Sequence, residues 1–347
     1  MAARLFDLAE TKGTYQVCGK INGTESSRFY TEKKTKNGKD FRAVNFGCEY
    51  DDKATIYMSL NGMPQDAVYF TKKNKDTGKT ETEKVAWANR NKPRNDGARM
   101  IGVNLGLSKI TGEDGKVVNY KQTMAPFDAC AYIKENLKDD ASVFIKGNID
   151  FSSYTDGEGN IRRSVKYVPS QVSLCKEVDF DEYDADNKPT HDFTQTIIFM
   201  GIDKEKDDRF MVQAKIVTWS DIVDTEFVIK DAKLAALFKK GLKTYNAIEV
   251  HGHIEVSHSL YEVSSDDVWG ESNTMTVVKA PSKTEMVITG ALPATIDRES
   301  YNEDNVSEAI RKIRNANTAE KNFGSKPNIN IEVDDWSADE NSEDDPW

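Results

Sequence analysis

The chain has 347 residues, 38% of them apolar and 10% aromatic, with a net charge of −11. That is enough apolar material for two packed cores and a tail. No run approaches the ~20 apolar residues that a membrane helix needs, and Met1-Ala2-Ala3-Arg4 opens without the apolar stretch of a signal peptide.

The charge is unevenly placed. Residues 1–175 hold 28 Lys and Arg against 22 Asp and Glu, a balance of +6, whereas Glu332–Trp347 carries −8, which leaves −9 for residues 176–331. A basic first half suggests a polyanion ligand, and an acidic end suggests a protein partner or a competitor for that polyanion. The four cysteines, Cys18, Cys48, Cys130 and Cys175, are scattered with no CxxC pair. They read as free thiols in a reducing cytoplasm.

Strand-like stretches come first: Thr14–Ile21, Phe41–Tyr50, Thr55–Leu60 and Met100–Leu107. Between Phe29 and Arg42 the chain alternates aromatics and charges around Asn37-Gly38, a turn pair that predicts a hairpin. Its arms carry Tyr30, Lys33, Lys34, Lys36, Lys39 and Arg42. Residues 64–98 form a long polar insertion with Trp87 in its midst. Between Lys72 and Arg99 lie nine basic residues, including Arg90, Lys92, Arg94 and Arg99, against four acidic ones. A tryptophan in so polar a segment has little obvious core to enter, so it is expected to serve a ligand. A helix at Phe127–Leu137 is followed by an alternating strand and then by a further strand, Ser164–Leu174.

The helix–strand unit recurs. Ala131–Phe151 aligns without a gap to Ala236–Val256 at an offset of 105. Leu137 matches Leu242, Lys138 matches Lys243, and Gly147 matches Gly252. A glycine in mid-strand marks a bend or bulge of a tightly curved sheet. Strands also precede the second helix (Gln195–Met200, Phe210–Trp219, Thr225–Ile229), and one follows its strand (Met275–Thr289). Strands, one helix, then more strands is the order of an OB fold, a small five-stranded barrel. The expectation is a mainly β chain of tandem OB-fold barrels, each with one helix, and a disordered acidic C-terminal tail. The first barrel spans 1–175, an acidic linker 176–190, the second barrel 191–298, a helix and linker 299–325, and the tail 326–347.

Between Gly147 and Tyr167 the chain reads Gly147-Asn-Ile-Asp-Phe-Ser-Ser-Tyr154-Thr-Asp156-Gly-Glu-Gly159-Asn-Ile-Arg162-Arg163-Ser-Val-Lys166-Tyr167, and it ends Asp344-Asp345-Pro346-Trp347. This segment and ending resemble single-stranded DNA-binding proteins of the bacterial and phage type. The match rests on the glycine, the aromatic seven residues later, the following Asp, Gly and Arg, and the acidic tail closing on an aromatic. It covers about fifty residues plus the tail. The resemblance implies single-stranded DNA as ligand, with binding rather than catalysis as the activity. It also implies that Asp344, Asp345, Pro346 and Trp347 recruit replication, recombination or repair proteins, and that a chain with two such domains forms a homodimer, with a monomer using both domains as the alternative. The residues fit independently. Tyr154 offers a face for base stacking, and Arg162, Arg163 and Lys166 can meet phosphates. The second copy departs from the motif: Ser259 stands seven residues after Gly252, and Tyr261 and Trp269 lie among Asp266, Asp267 and Glu271. That copy is expected to serve architecture or partner contacts.

Two other classes fit the same residues. Both barrels could bind protein, with the tail a solubiliser, or a metal-dependent nuclease could lie among the carboxylates. His251, His253 and His258 make a metal site thinkable on an otherwise ordinary strand. No phosphate-binding GxxxxGK[ST] loop occurs, which argues against an ATP-driven motor, and no cofactor is implied.

Overall fold

In the computed structural model, residues 4–52, 54–74, 77–111, 115–157, 160–183, 188–205, 208–257, 260–262, 277–279 and 283–322 are described. The acidic tail, with Asp344 to Trp347, lies outside them, as do Gly159, His258 and Trp269.

The first half contains β1 (Gly13–Asn22), β2 (Tyr30–Lys34), β3 (Asp40–Asp51) and β4 (Ala54–Gly62). There follow β5 (Ala67–Lys73), β6 (Thr80–Ala86), a 3-10 turn at Trp87–Asn89, β7 (Arg99–Met100), β8 (Val103–Thr111) and β9 (Val117–Met124). Helix α1 (Pro126–Asn136), β10 (Ser142–Thr155) and β11 (Ile161–Leu174) complete it. The second half runs β12 (Thr190–Lys204), β13 (Phe210–Val217), β14 (Ile222–Ile229), α2 (Ala232–Gly241) and β15 (Asn246–Ser257). It ends with β16 (Leu260–Glu262), β17 (Val277–Lys279), β18 (Lys283–Asp297) and α3 (Glu303–Asn322).

Two barrels result, and both have the strand order of an OB fold. In the first, β1 pairs with β3, β3 with β4, β4 in parallel with β11, β11 with β10, and β10 with β1. In the second, β12, β13, β14, β18 and β15 close in the same way, again with one parallel contact, Val228 beside Val287. Each barrel has its helix between its third and fourth strands. Alternation fills the interiors: Val44, Phe46 and Cys48 of β3 face Ile56, Met58 and Leu60 of β4, all nearly inaccessible to solvent. Within the first barrel, β8 runs parallel to β11 at Leu105–Val172 and so prolongs the third-strand position that β4 leaves at Gly62.

The duplication is visible in hydrogen bonds. Gly147 opposes Tyr15, and Gly252 opposes Phe193. Both glycines sit at a register shift of their hairpin, so the expected bulge is present in each copy. The two barrels then join through their first strands: β1 pairs antiparallel with β12 from Gly13–Gln195 to Cys18–Thr190. In that seam Tyr15 opposes Phe193, so the two equivalent positions face each other across a pseudo-twofold axis.

A second attachment was not legible in the sequence. The segment before β1 crosses to the second barrel, where Phe6 is buried with Ile198, Val217, Ile222 and Ala247. Helix α3 covers the same cluster with Val306, Ala309 and Ile313, and Tyr301 donates to the Ala9 carbonyl at 3.2 Å. The residues between the barrels are also anchored in part, since Val178 is buried and its N–H donates to Ser142 Oγ at 2.9 Å.

The polar insertion has secondary structure of its own. β6, β5 and β7 form a three-stranded sheet over a small core of Val68, Phe70 and Ala125. Trp87 packs against that core, so the reasoning that it lacked one is corrected. The sequence hides this sheet because six of the seven residues of β6 are exposed and only isolated apolar side chains point inward.

A Cβ on Gly147 would run into the Val168 carbonyl and the Tyr15 ring. Gly147→Ala should therefore lose ~2–4 kcal/mol of stability in chemical unfolding. In the second barrel, Arg209 of the β12–β13 turn grips Glu285 of β18 through both carboxylate oxygens, at 2.7 and 2.5 Å. That bond, with Lys283 adding to it, holds the Glu285 carboxyl down at about 2, below its unfolded value of 4.5. A depressed acid stabilises the fold above its unfolded value, and the contribution fades as pH falls toward the folded value. The melting-temperature gap between wild type and Glu285→Gln should therefore be full at about pH 6 and close progressively from about pH 5 to about pH 2.

Candidate nucleic-acid interface

The β10–β11 hairpin projects beyond the first barrel. Its tip is closed by Asp156, whose N–H donates to the Asn160 carbonyl at 2.9 Å and whose carboxylate accepts from Asn160 N–H at 2.8 Å. The same carboxylate receives Arg162 Nε at 2.9 Å. Thus the Asp and Arg of the motif are bonded to each other, and Asp156 positions Arg162.

Register decides which side chains share a face. Opposed pairs are Asp150–Lys166, Ser152–Ser164, Ser153–Arg163 and Tyr154–Arg162. Even-numbered residues face outward, because Phe151 and Tyr167 point into the core. Tyr154, Arg162 and Lys166 therefore stand in one row, with Tyr154 39% exposed. Asp150 faces Lys166; burial raises its carboxyl while the lysine opposes that rise.

Arg163 is on the other face. It approaches Asp224 of β14 at 3.9 Å, next to Lys215, which binds the same carboxylate at 2.5 Å. Ser153 donates to Asp221 of the second barrel. This side of the hairpin docks on the neighbouring barrel, so Arg163 is separated from the three residues that sequence reasoning placed with it.

The sequence reading missed Tyr57. It lies on β4, where Met58 sits beside Tyr167 of β11. The preceding residues, Tyr57 and Lys166, are thereby set side by side on the outer face, and Tyr57 is 55% exposed. Its signal was available in the alternation of Ala54–Gly62, in which the large aromatic takes an outward position. A row of Tyr57, Lys166, Arg162 and Tyr154 presents two aromatic rings and two cations on one surface. Aromatic faces accept any base, and cations between them can neutralise phosphates.

The other candidates converge on the start of α1. The β2–β3 hairpin forms as expected, with Gly38 at φ 75° in its turn and Lys36 and Lys39 exposed beside it. Its arms pair Lys34 with Asp40 at 2.7 Å and Arg42 with Glu32 at 2.9 Å. Lys33 lies 5.9 Å from the Phe41 ring centroid. Tyr30 donates its hydroxyl to Glu32 at 2.7 Å and carries Lys134 over its ring at 4.4 Å. Burial and that bond push the Tyr30 hydroxyl up to about 12, so it stays protonated as a donor. The Arg42 guanidinium lies 4.1 Å from the Phe127 centroid, and Trp87 meets the same ring edge-on at 6.3 Å. Arg90 covers Trp87 at 4.1 Å and binds Asp128 through both oxygens at 2.6 and 3.0 Å. Tyr30, Arg42, Trp87 and Arg90 therefore belong to a packed junction between the lysine hairpin, α1 and the insertion.

Farther out, Arg94 is clasped by Glu83 and Asp96 and lies over Phe70 at 4.7 Å. The Arg94 bond, with the Ala98 N–H adding to it, holds the Asp96 carboxyl down at about 2. Lys92 and Arg99 are exposed, and Arg99 lines a shallow cleft with Lys72 and Lys73. On β15, His253 bonds Asp192 at 2.8 Å and lies 5.0 Å from His191, which stacks on Tyr50 at 4.1 Å. His251 faces Gly290 instead. His191 and His253 thus pack beside Tyr50 of the first barrel, whereas His251 is exposed within the second.

The family model described as YorF matches residues 72–326, which is most of the chain. The chain belongs to the YorF family. Two solved structures of the single-stranded DNA-binding protein from Thermus aquaticus, a deletion mutant and the wild type, are similar over 82% of this chain. They are 9% and 8% identical to it, with 95% and 93% of their own chains covered and TM-scores of 0.39 and 0.38. No curated protein matches this sequence. No helix among the described residues is long and apolar enough to cross a membrane.

If the row on β4 and β11 meets phosphates, removing one cation should lower the salt dependence of binding. For Lys166→Ala the slope of log K against log salt for a single strand should fall by about 0.7, read by titration at several salt concentrations.

Proposed function

We propose that this protein binds single-stranded DNA without sequence preference and protects it during replication, recombination or repair. The observation that carries this reading is the row of Tyr57, Lys166, Arg162 and Tyr154 on the outer face of the first barrel, set by the β10–β11 and β4–β11 registers. An OB fold offers this face, together with the loops at its edge, to oligonucleotides. Here the edge loops are the lysine hairpin of β2–β3 and the β10–β11 hairpin. Lys36 and Lys39 of the lysine hairpin and Lys92 and Arg99 of the insertion are exposed cations as well.

The mechanism is association, not chemistry. Bases stack on Tyr57 and Tyr154, while Lys166 and Arg162 take phosphates. Arg162 reaches Asp156 as well, so a phosphate would share it with that carboxylate. The junction of Trp87, Phe127, Arg42 and Arg90 supports the loops from behind rather than offering open rings. The acidic end of the chain, with Asp344, Asp345, Pro346 and Trp347, recruits partner enzymes and competes for the basic face when DNA is absent. The protein works in the cytoplasm, of the host if phage-encoded, and as a homodimer.

Fluorescence anisotropy with a labelled thymidine oligonucleotide, beside a duplex of equal length, tests this reading at low and high salt. Salt-sensitive binding to the single strand alone is expected. Tyr154→Ala and Tyr57→Ala should each weaken it by ~1–3 kcal/mol, about 5- to 150-fold. Equal binding to duplex, or none, would turn the reading to a protein-interaction scaffold. Strand cleavage on adding Mg²⁺ would turn it to a nuclease.

A further inference from the structure

The turn between β13 and β14, Thr218–Asp221, is fixed from three directions. Within it, Thr218 N–H donates to the Asp221 carbonyl at 2.9 Å, and Asp221 N–H donates to Thr218 Oγ1 at 3.0 Å. From the N-terminal segment, Arg4 donates to the carbonyls of Trp219 and Thr218 at 3.2 and 3.0 Å. From the first barrel, Ser153 of the β10–β11 hairpin donates to the Asp221 carboxylate. A turn pinned in this way keeps little freedom. Yet its one large side chain, Trp219, is 53% exposed. The Arg4 guanidinium lies 5.6 Å from the indole centroid and 4.7 Å from that of Phe6, whose ring is buried.

The guanidinium lies over the indole ring, so the exposed remainder of the indole is what a base can stack on, and the Arg4 charge beside it can meet that nucleotide's phosphate. Ordering entropy has already been lost in folding, so little remains to be lost on binding. The acidic groups nearby are engaged: Asp221 by Ser153 and by Ile222 N–H at 2.7 Å, and Asp224 by Lys215 and Arg163. They therefore repel a phosphate less than bare carboxylates would. Ser153, which binds this turn, adjoins Tyr154 in the chain but lies on the opposite face of the hairpin, so a strand leaving Tyr154 reaches the turn by passing around the hairpin.

We propose that Trp219 and Arg4 form a second subsite for single-stranded nucleic acid, with a base stacked on the indole and a phosphate on the guanidinium. This rests on the function proposed above and gives the second barrel a direct contact with the strand, in place of the purely architectural role that its acidic loops suggest.

Two thymidine oligonucleotides separate the subsite from the first barrel: one of about eight nucleotides, within the range of one OB fold, and one of about thirty, within the range of two. Trp219→Ala should weaken the long oligonucleotide about fivefold or more and leave the short one unchanged, with Trp219→Phe restoring most of the loss. Arg4→Ala should lower the salt slope for the long one by about 0.7. Unchanged melting temperatures confirm that the fold is kept. Wild-type affinity of Trp219→Ala for both lengths overturns the subsite while leaving the proposed function intact. An equal loss for both lengths also overturns it, since the turn then acts through the hairpin. Failure of the wild-type protein to bind either oligonucleotide removes the proposed function, and this inference with it.

Discussion

The antiparallel pairing of β1 with β12 is the constraint on which the rest depends. Each barrel is closed, and closure removes the open edges that strands otherwise present. Yet β1 and β12 each stay paired inside their own barrel along one edge, while the other edge pairs within the barrel over part of its length and with the other barrel's first strand over the rest. The two barrels thereby share one continuous sheet. Their relative orientation is fixed by main-chain hydrogen bonds rather than by a flexible connection, and it brings the β10–β11 hairpin of one against the β13–β14 turn of the other. The pseudo-twofold relation appears again at the opposite side, where Val256 N–H donates to the Tyr50 hydroxyl at 3.0 Å.

That orientation sorts the charges. The first half is basic and the remainder acidic, but the two do not simply attract over their whole surfaces. Carboxylates of the second barrel meet the first at one face of the hairpin, where Asp221 and Asp224 take Ser153 and Arg163. The opposite face keeps Tyr154, Arg162 and Lys166 outward. A two-residue period therefore decides between an interdomain contact and the outward face proposed for the ligand: Arg162 and Arg163 face opposite ways because they are adjacent in sequence.

The repeat and the barrels were legible because duplication preserves spacing. Gly147 and Gly252 must each admit a neighbouring carbonyl, so both the helix and the strand around them keep their offset. The lysine hairpin was legible because Asn37-Gly38 supplies the positive φ its turn needs. Other parts were hidden for physical reasons. The insertion's small sheet buries only isolated side chains, so its strands look polar throughout. Trp87 looked solitary because its partners, Phe127 and Arg90, come from outside its own strand pair. Tyr57 was hidden by a different cause: its strand was recognised, but only the parallel register with β11 shows that it stands beside Lys166. The N-terminal strap was the least legible, because the Arg4 contacts pair residues more than two hundred positions apart and Phe6 packs into the same distant barrel, which no local pattern encodes.

Rigidity on both sides of the hairpin has a consequence for how a ligand is held. Tyr57 and Lys166 are on barrel strands, Tyr154 and Arg162 on the two paired arms of one hairpin, and Trp219 on a turn tied to both barrels. None of these side chains has to wait for a loop to order before it can meet a base or a phosphate. In the proposed complex, affinity would come from stacking and counterion release with little conformational loss on the protein's side. Most of the ordering would fall instead on the single strand, whose backbone is flexible and whose bases all offer the same kind of face. That division of costs favours tolerance of sequence, because a preformed surface of aromatic faces and cations asks only for a flexible polyanion with bases to stack.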